Sequence, residues 1–432
     1  MTTPSRTSTG TADPTRGRWL LAGAAVLLQL ALGAVYAWSV FSKALQKDDN
    51  AFDLSKAQAA LPFSVTIAMI FLGTYLGGRV QDRRGPRLVA LTGGVVYSAG
   101  ILLASAASDD GDLWLLILGY GVIAGFGLGL GYIVPIAMLQ KWFPDKRGLI
   151  TGIAVGGFGF GAVLTSPIAQ ALVDHYKEVP TRSFLWLGIG YLVMVLIGGS
   201  QFRNPPEGYA VPGRRPATTG RVVESDRDFT QAEALRTRQW YLLTAVLALN
   251  VTAGIALISV VASAAEDIAG YSAAAASTLT GIMGLFNGGG RVFWGWFSTH
   301  TGRMTAFLGM LGLQGVCFLI LPHASAAALF AVLAAVIYLC YGGGFGTMPA
   351  TAGDFFGLRE AGAIYGLMIV SWSAGGVIGP LLVAWLITGD DYVIAFTTIG
   401  VMALAAMVLP LLTRPPAPAA PPPPAQDAAA AA

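Results

Sequence analysis

Charge is what this sequence has least of. Only 11% of its 432 residues are Asp, Glu, Lys or Arg, against 55% apolar ones. A soluble globular chain carries about a quarter charged residues. Folding on itself does not keep this much apolar surface out of water. The scarcity therefore excludes an ordinary soluble domain and makes lipid the solvent for much of the chain. The net charge of +3 lacks the basic excess that nucleic acid demands, so no nucleic-acid partner is expected. Cysteine is rare too. Cys317 and Cys340 both fall in apolar stretches, which suits packing better than a disulfide or a metal site. The three histidines (His175, His300, His323) are scattered near the ends of apolar segments, without metal-ligand spacing. No metal and no cofactor is expected.

What the sequence does have is long apolar runs. A membrane helix needs about 20 apolar residues. Twelve segments qualify: 19–42, 58–80, 87–107, 113–137, 148–173, 183–202, 239–263, 274–297, 303–322, 325–349, 361–387 and 392–413. Lysine and arginine orient them. With both termini in the cytoplasm, 20 of the 26 basic residues fall inside and five outside (Lys43, Lys47, Lys56, Lys177, Arg182). Arg291 is the one left over. The first 18 residues are polar, without the short apolar core and cleavage site of a signal peptide. They read as a disordered cytoplasmic tail. Residues 414–432, rich in Pro and Ala, read as another. The segment 203–238 is the longest polar interruption and divides the spans six and six, as a cytoplasmic linker between halves 19–202 and 239–413.

The halves echo each other. GRVQDRRGPR follows span two, and GWFSTHTGR follows span eight. Span four holds GFG at 125–127 and span ten at 344–346. Gly152 and Gly161 in span five match Gly366 and Gly375 in span eleven. Small residues four apart, such as Gly121, Gly125 and Gly129, let helices pack closely. Two like-oriented six-helix halves predict an all-α membrane transporter with its substrate site between the halves, near mid-membrane.

At Gly78–Arg87 the pattern G-x-x-x-D-R-x-G-x-R resembles the loop signature of the major facilitator superfamily. The resemblance implies the major facilitator fold. It also implies a gating role for Gly78, Asp82, Arg83, Gly85 and Arg87, with Asp82 and the arginines in a cytoplasmic charge network. The second-half copy has Thr299 where an acid would stand. LQLALGAVYAWSVF in span one, KWFPDKRGLITGIAVGGFGFGA after span four, NPPEGY after span six and NGGGRVFWGW in span eight are similar to the oxalate/formate antiporter family.

Arg291 stands eight residues before Thr299, about 12 Å from the helix end at ~1.5 Å per residue. An ionised arginine at that depth faces the bundle interior or a cavity, or else its long side chain snorkels to the headgroups or bonds to helix carbonyls. Asn287 and Thr280 mark a polar face of the same helix. The equivalent first-half position is Thr74, so the charge breaks the internal symmetry and points to the substrate. A guanidinium is suited to a carboxylate, through two parallel hydrogen bonds and a charge that persists at any working pH. The resemblance likewise implies an anion-binding role for Arg291.

Oxalate exchangers of that family carry a lysine in span eleven, within Y-G-x-x-x-x-x-K-G. This chain reads YGLMIVSW from Tyr365, with Trp372 at the lysine position. One cation neutralises a dianion poorly, so a monocarboxylate is favoured, with oxalate:formate exchange proper as the alternative. Candidate substrate contacts are Tyr36, Tyr132, Tyr341 and Trp372, together with Asn287 and with Gln29 on the Tyr36 face of span one. Each aromatic also has a plainer reading as packing. No Asp, Glu or His lies deep in a span, which favours anion exchange or uniport over proton symport. An intramembrane enzyme is disfavoured for want of clustered nucleophiles, acids or metal ligands. A channel is disfavoured by the repeat, and a transporter-like carboxylate sensor stays open. The expected setting is the plasma membrane, with one chain sufficient for the site and a monomer as the working form.

Overall fold

The computed structural model describes residues 14–46, 50–209, 211, 227–388 and 391–416. Most of both expected tails and the middle of the linker lie outside them. Among the described residues there is no strand, and helices account for nearly everything. The spans run Gly17–Ala44, Gln58–Arg84, Pro86–Ala104, Asp110–Trp142, Arg147–His175 and Pro180–Ser200 in the first half. In the second they run Arg238–Ala269, Ala273–Thr301, Arg303–His323, Ala327–Phe356, Ala361–Leu386 and Val393–Leu412. All but Ala273–Thr301 are long and apolar enough to cross a membrane. That helix, span eight, has 29 residues but carries Arg291. The chain is thus a multi-pass, all-α membrane protein of two six-helix halves.

Local sequence explains where the spans start and stop. Ser55 and Gln58 form a capping box at the start of span two, and Thr237 and Ser272 cap spans seven and eight. Between spans two and three the chain turns at Gly85, with φ of 89°. Between eight and nine it turns at Gly302, with φ of 95°. A side chain is strained in that left-handed region, which accounts for the glycine of both loop motifs.

The internal repeat is visible as packing. Gly73 and Gly290, 217 residues apart, press against the carbonyls of Phe126 and Leu339. Gly129 and Gly342 press against those of Ile70 and Asn287. Gly129 therefore corresponds to Gly342, and the two GFG triplets, which look alike in sequence, do not occupy equivalent positions. The seams between the halves obey the same symmetry. A Cβ on Gly78 would run into the Gly362 carbonyl, and one on Gly148 into that of Gly295. Higher up, Gly366 abuts the Thr74 carbonyl and Gly152 that of Arg291. Spans two and eleven, and spans five and eight, thus touch backbone to backbone.

Four spans are irregular in their interior, span twelve among them with a break at Met407 between Val393–Ala406 and Val408–Leu412. Span one tightens to a 3-10 turn at Ala34–Ala37. Span four holds a π-helical stretch at Ile117–Ala124. Span eleven breaks at Ile369, between Ala361–Met368 and Val370–Leu386.

Backbone contact at Gly78 leaves no room for a side chain. Gly78→Leu is expected to hold the halves apart at the loop-motif end. A cysteine at Ala363 should then react with an aqueous maleimide severalfold faster than in the Gly78 parent, with helix content by circular dichroism unchanged. Equal labelling rates would show that the seam is not closed by this contact.

Candidate functional site

The 3-10 turn of span one and the second segment of span eleven carry Tyr36 and Trp372, whose rings pack on Phe158 next to the buried arginine. Arg291 is fully buried. Its Nη1 donates to the Val155 carbonyl on span five (3.1 Å), and its Nε donates weakly to Asn287 Oδ1 (3.4 Å). Its Nη2 is buried without a partner. The guanidinium lies 5.1 Å from the Phe345 ring centre and 5.5 Å from that of Phe158, one ring from each half. Ring faces are partly negative, so both attract the cation. No carboxylate pairs with it among the described residues. Gly159 leaves room for the arginine side chain, because a Cβ there would lie 3.3 Å from Arg291 Nε and still closer to Gly288.

Trp372 is the hub of an aromatic cage. Its ring centre lies 5.1 Å from Phe345, 5.7 Å from both Phe158 and Tyr132, and 6.3 Å from Tyr36. Tyr36, in the 3-10 turn, is half-buried, and its hydroxyl meets that of Tyr341 across the halves at 3.5 Å. Tyr341 stacks edge-on with Phe345. Gln29 is buried, donates from Nε2 to the Tyr132 carbonyl (3.2 Å), and leaves Oε1 unpartnered. The structure therefore brings Gln29, Tyr36, Tyr132, Asn287, Tyr341 and Trp372 together around Arg291. Thr280 is exposed and bonds to its own helix, outside the cage. Phe158, Phe345 and Tyr365 belong to the cage and were not singled out in the sequence. Their signal was faint, since Phe158 and Phe345 sit in glycine-rich runs that read as packing seams.

The loop-motif end is sealed by charge. Asp82 Oδ2 accepts from the Ala363 backbone N–H, at the start of span eleven (2.8 Å). Its other oxygen pairs with Lys141 (3.6 Å). Arg83 and Arg87 are exposed and make no ion pair with described residues, so the cation beside Asp82 is Lys141. In the second half, Thr299 bonds to its own helix, and the acid comes from span ten instead. Asp354 is buried between Arg147 of the first half (3.0 Å) and Arg303 of the second (2.8 Å). Removing one partner of such a buried pair costs about 3–5 kcal/mol.

The linker clasps this end. Phe229 N donates to the Phe356 carbonyl, and Asp228 Oδ1 accepts from Leu358 N. Gln231 accepts from Arg79 Nε of the first half (2.6 Å) and donates to the Ala363 carbonyl of the second (2.7 Å). The NPPEGY segment fastens the same end. Tyr209 donates to the Trp142 carbonyl, and Trp142 Nε1 to that of Arg203.

A sealed, two-half helical bundle around a buried cationic cage is the architecture of a secondary transporter, and the comparisons agree. The Major Facilitator Superfamily model matches residues 18–372, and the chain belongs to that family. It is 28% identical over 410 residues to the oxalate:formate antiporter of Oxalobacter formigenes, spanning 92% of this chain and 93% of that one. It is 22% identical to monocarboxylate transporter 12 of Rattus norvegicus, spanning 93% and 87%. Among solved structures, FucP, a Major Facilitator Superfamily transporter in the outward conformation, superposes with a TM-score of 0.70 at 15% identity. That match covers 92% of this chain and all of that one. These relatives are transporters, not enzymes.

Asp354→Asn should remove the negative charge shared by Arg147 and Arg303 and open the loop-motif end. Asp228→Ala should open it more weakly, since it removes only surface bonds of the clasp. The maleimide assay at position 363 ranks them. An Asp228 effect equal to or above that of Asp354 would place the main closure in the linker.

Proposed function

We propose that the chain is a secondary transporter for small organic anions, monocarboxylates above all, working by alternating access as an exchanger. The observation that carries this reading is the buried guanidinium of Arg291, which has an unpartnered nitrogen and, among the described residues, no carboxylate paired with it. A buried charge without a counter-ion is costly. A substrate carboxylate supplies the counter-ion, and the site then binds an anion more strongly than a neutral analogue. The single cation, with Trp372 closing the side where a second would stand, favours one carboxylate over two. The names of the oxalate:formate and monocarboxylate relatives support the same class. The absence of a deep acidic or histidine side chain in the spans favours exchange over proton symport.

We further propose the bacterial-type orientation that the basic residues prescribe, in the plasma membrane with both termini cytoplasmic. The ends of the halves lie near residues 19, 202, 239 and 413. In that orientation the structure is closed to the cytoplasm by Asp82, Asp354 and the linker clasp, with Gly78, Gly85 and the basic residues of the loop motif as its hinge. All the site residues come from one chain, which supports a working monomer.

The test is uptake into liposomes preloaded with unlabelled carboxylates. Labelled formate, lactate, pyruvate or oxalate should enter only against an internal anion. Arg291→Gln should lower that uptake at least a hundredfold while keeping the protein folded. Undiminished uptake in Arg291→Gln would make the arginine structural. A folded protein that moves none of these acids would favour a sensor or another substrate class. Trp372→Lys adds the missing second cation and should raise oxalate uptake relative to formate about tenfold. An unchanged ratio would remove Trp372 from the selectivity argument.

A further inference from the structure

Spans one and four of the first half are irregular, yet their counterparts in the repeat are not. Spans seven and ten run as unbroken α-helices, Arg238–Ala269 and Ala327–Phe356. The 3-10 turn at Ala34–Ala37 and the π-helical stretch at Ile117–Ala124 are therefore additions to the symmetric scaffold, as Arg291 is. The two irregularities also touch, and Tyr120 is the residue that joins them.

Tyr120 lies within the π-helical stretch and is buried. Such widened turns disturb the i→i−4 ladder and recur at functional sites. Here Thr66 Oγ1 of span two donates to the Tyr120 carbonyl (3.0 Å). Ordinary bonding resumes at Gly125, whose N–H donates to Gly121. The Tyr120 hydroxyl donates to the Val35 carbonyl in span one, through a long bond of 3.4 Å. That carbonyl also closes the 3-10 turn, because it accepts the Trp38 N–H. The Tyr120 ring packs on Trp38 with 4.4 Å between centres, and Trp38 Nε1 donates to the Ala59 carbonyl of span two (2.9 Å). Spans two and four thus hold the turn from behind.

The front of the turn is Tyr36. It is the one residue of Ala34–Ala37 that is not fully buried. Its ring lies 5.4 Å from Phe158 and 6.3 Å from Trp372, and its hydroxyl meets that of Tyr341. A 3-10 turn has three residues per turn instead of 3.6, so tightening rotates the side chains it carries. The tightness of this turn therefore sets where Tyr36 points.

We propose that Tyr120 is a positioning residue, supported by Trp38, that holds the 3-10 turn of span one so that Tyr36 stays aimed at the cage. Tyr120 acts on the substrate only through Tyr36. This rests on the reading of the cage as the substrate site.

The test has two arms. In the first, purified protein carrying Tyr36→Cys, with Cys317→Ala and Cys340→Ala to remove other thiols, is labelled with a maleimide. Adding Tyr120→Phe or Trp38→Phe should speed labelling about threefold, the scale of a lost hydrogen bond, with circular dichroism unchanged. In the second arm, exchange of formate and pyruvate into liposomes is measured for Tyr120→Phe, Tyr36→Ala and the double variant. Tyr120→Phe should raise KM about threefold with kcat nearly unchanged, and should add little once Tyr36 is gone, because residues that act through one another are not additive. Additive effects on KM, or a fall in kcat at constant KM, mark a general structural role and overturn the proposal. Unchanged labelling with intact exchange overturns the positioning alone. Wild type that exchanges neither acid overturns the substrate reading and the role of Tyr120 in it.

Discussion

A guanidinium sealed from water, with two aromatic rings beside it and no carboxylate paired with it among the described residues, constrains everything packed around it. Water cannot solvate Arg291, so the protein supplies what it can: the Val155 carbonyl, the Asn287 amide and the faces of Phe158 and Phe345. These are partial compensations for a full charge. Val155 and Phe158 belong to span five of the first half, whereas Arg291, Asn287 and Phe345 belong to the second. The charge therefore sits on the seam along which the halves meet. Whatever neutralises it also acts on the fit of one half against the other.

The seam between the halves is lined by glycines. Its contacts are backbone against backbone at Gly78, Gly148, Gly152 and Gly366, where no side chain has to be unthreaded as the halves part. Polar links close one end: Asp82 to span eleven, and Asp354 between two arginines of opposite halves. Glycine seams contribute close packing, while the buried ion pairs contribute a defined closed position. The linker adds a third element, because Gln231 bonds to Arg79 on one half and to Ala363 on the other.

The internal symmetry and its violation carry the functional logic. Ile70 and Thr74 hold the places in the first half that Asn287 and Arg291 hold in the second. The scaffold is satisfied by an apolar residue and a threonine there, since Thr74 simply bonds to the Gly366 carbonyl. The polar pair of span eight is therefore an addition to the scaffold. The aromatic residues around it come in part from the irregular spans one and eleven, through Tyr36 and Trp372.

Hydropathy, the basic-residue pattern and the loop glycines made twelve spans, two halves and the superfamily legible from the sequence, because lipid imposes length and polarity on each span independently. Arg291 was legible for the same reason, as a charge where lipid tolerates none. Other features depend on contacts between segments distant in the chain. The break at Ile369, the roles of Phe158, Phe345 and Tyr365, and the pairing of Asp82 with Lys141 rather than with the neighbouring Arg83 are of this kind. So is the supply of the second-half acid by Asp354 in place of Thr299. Even the repeat misled in one detail, since the GFG triplets match as letters while Gly129 and Gly342 match in space. A one-dimensional sequence reports how each helix meets its solvent. Only the tertiary structure decided which helix faces meet each other, because that depends on close fit between backbones at glycines and on which buried donors find acceptors.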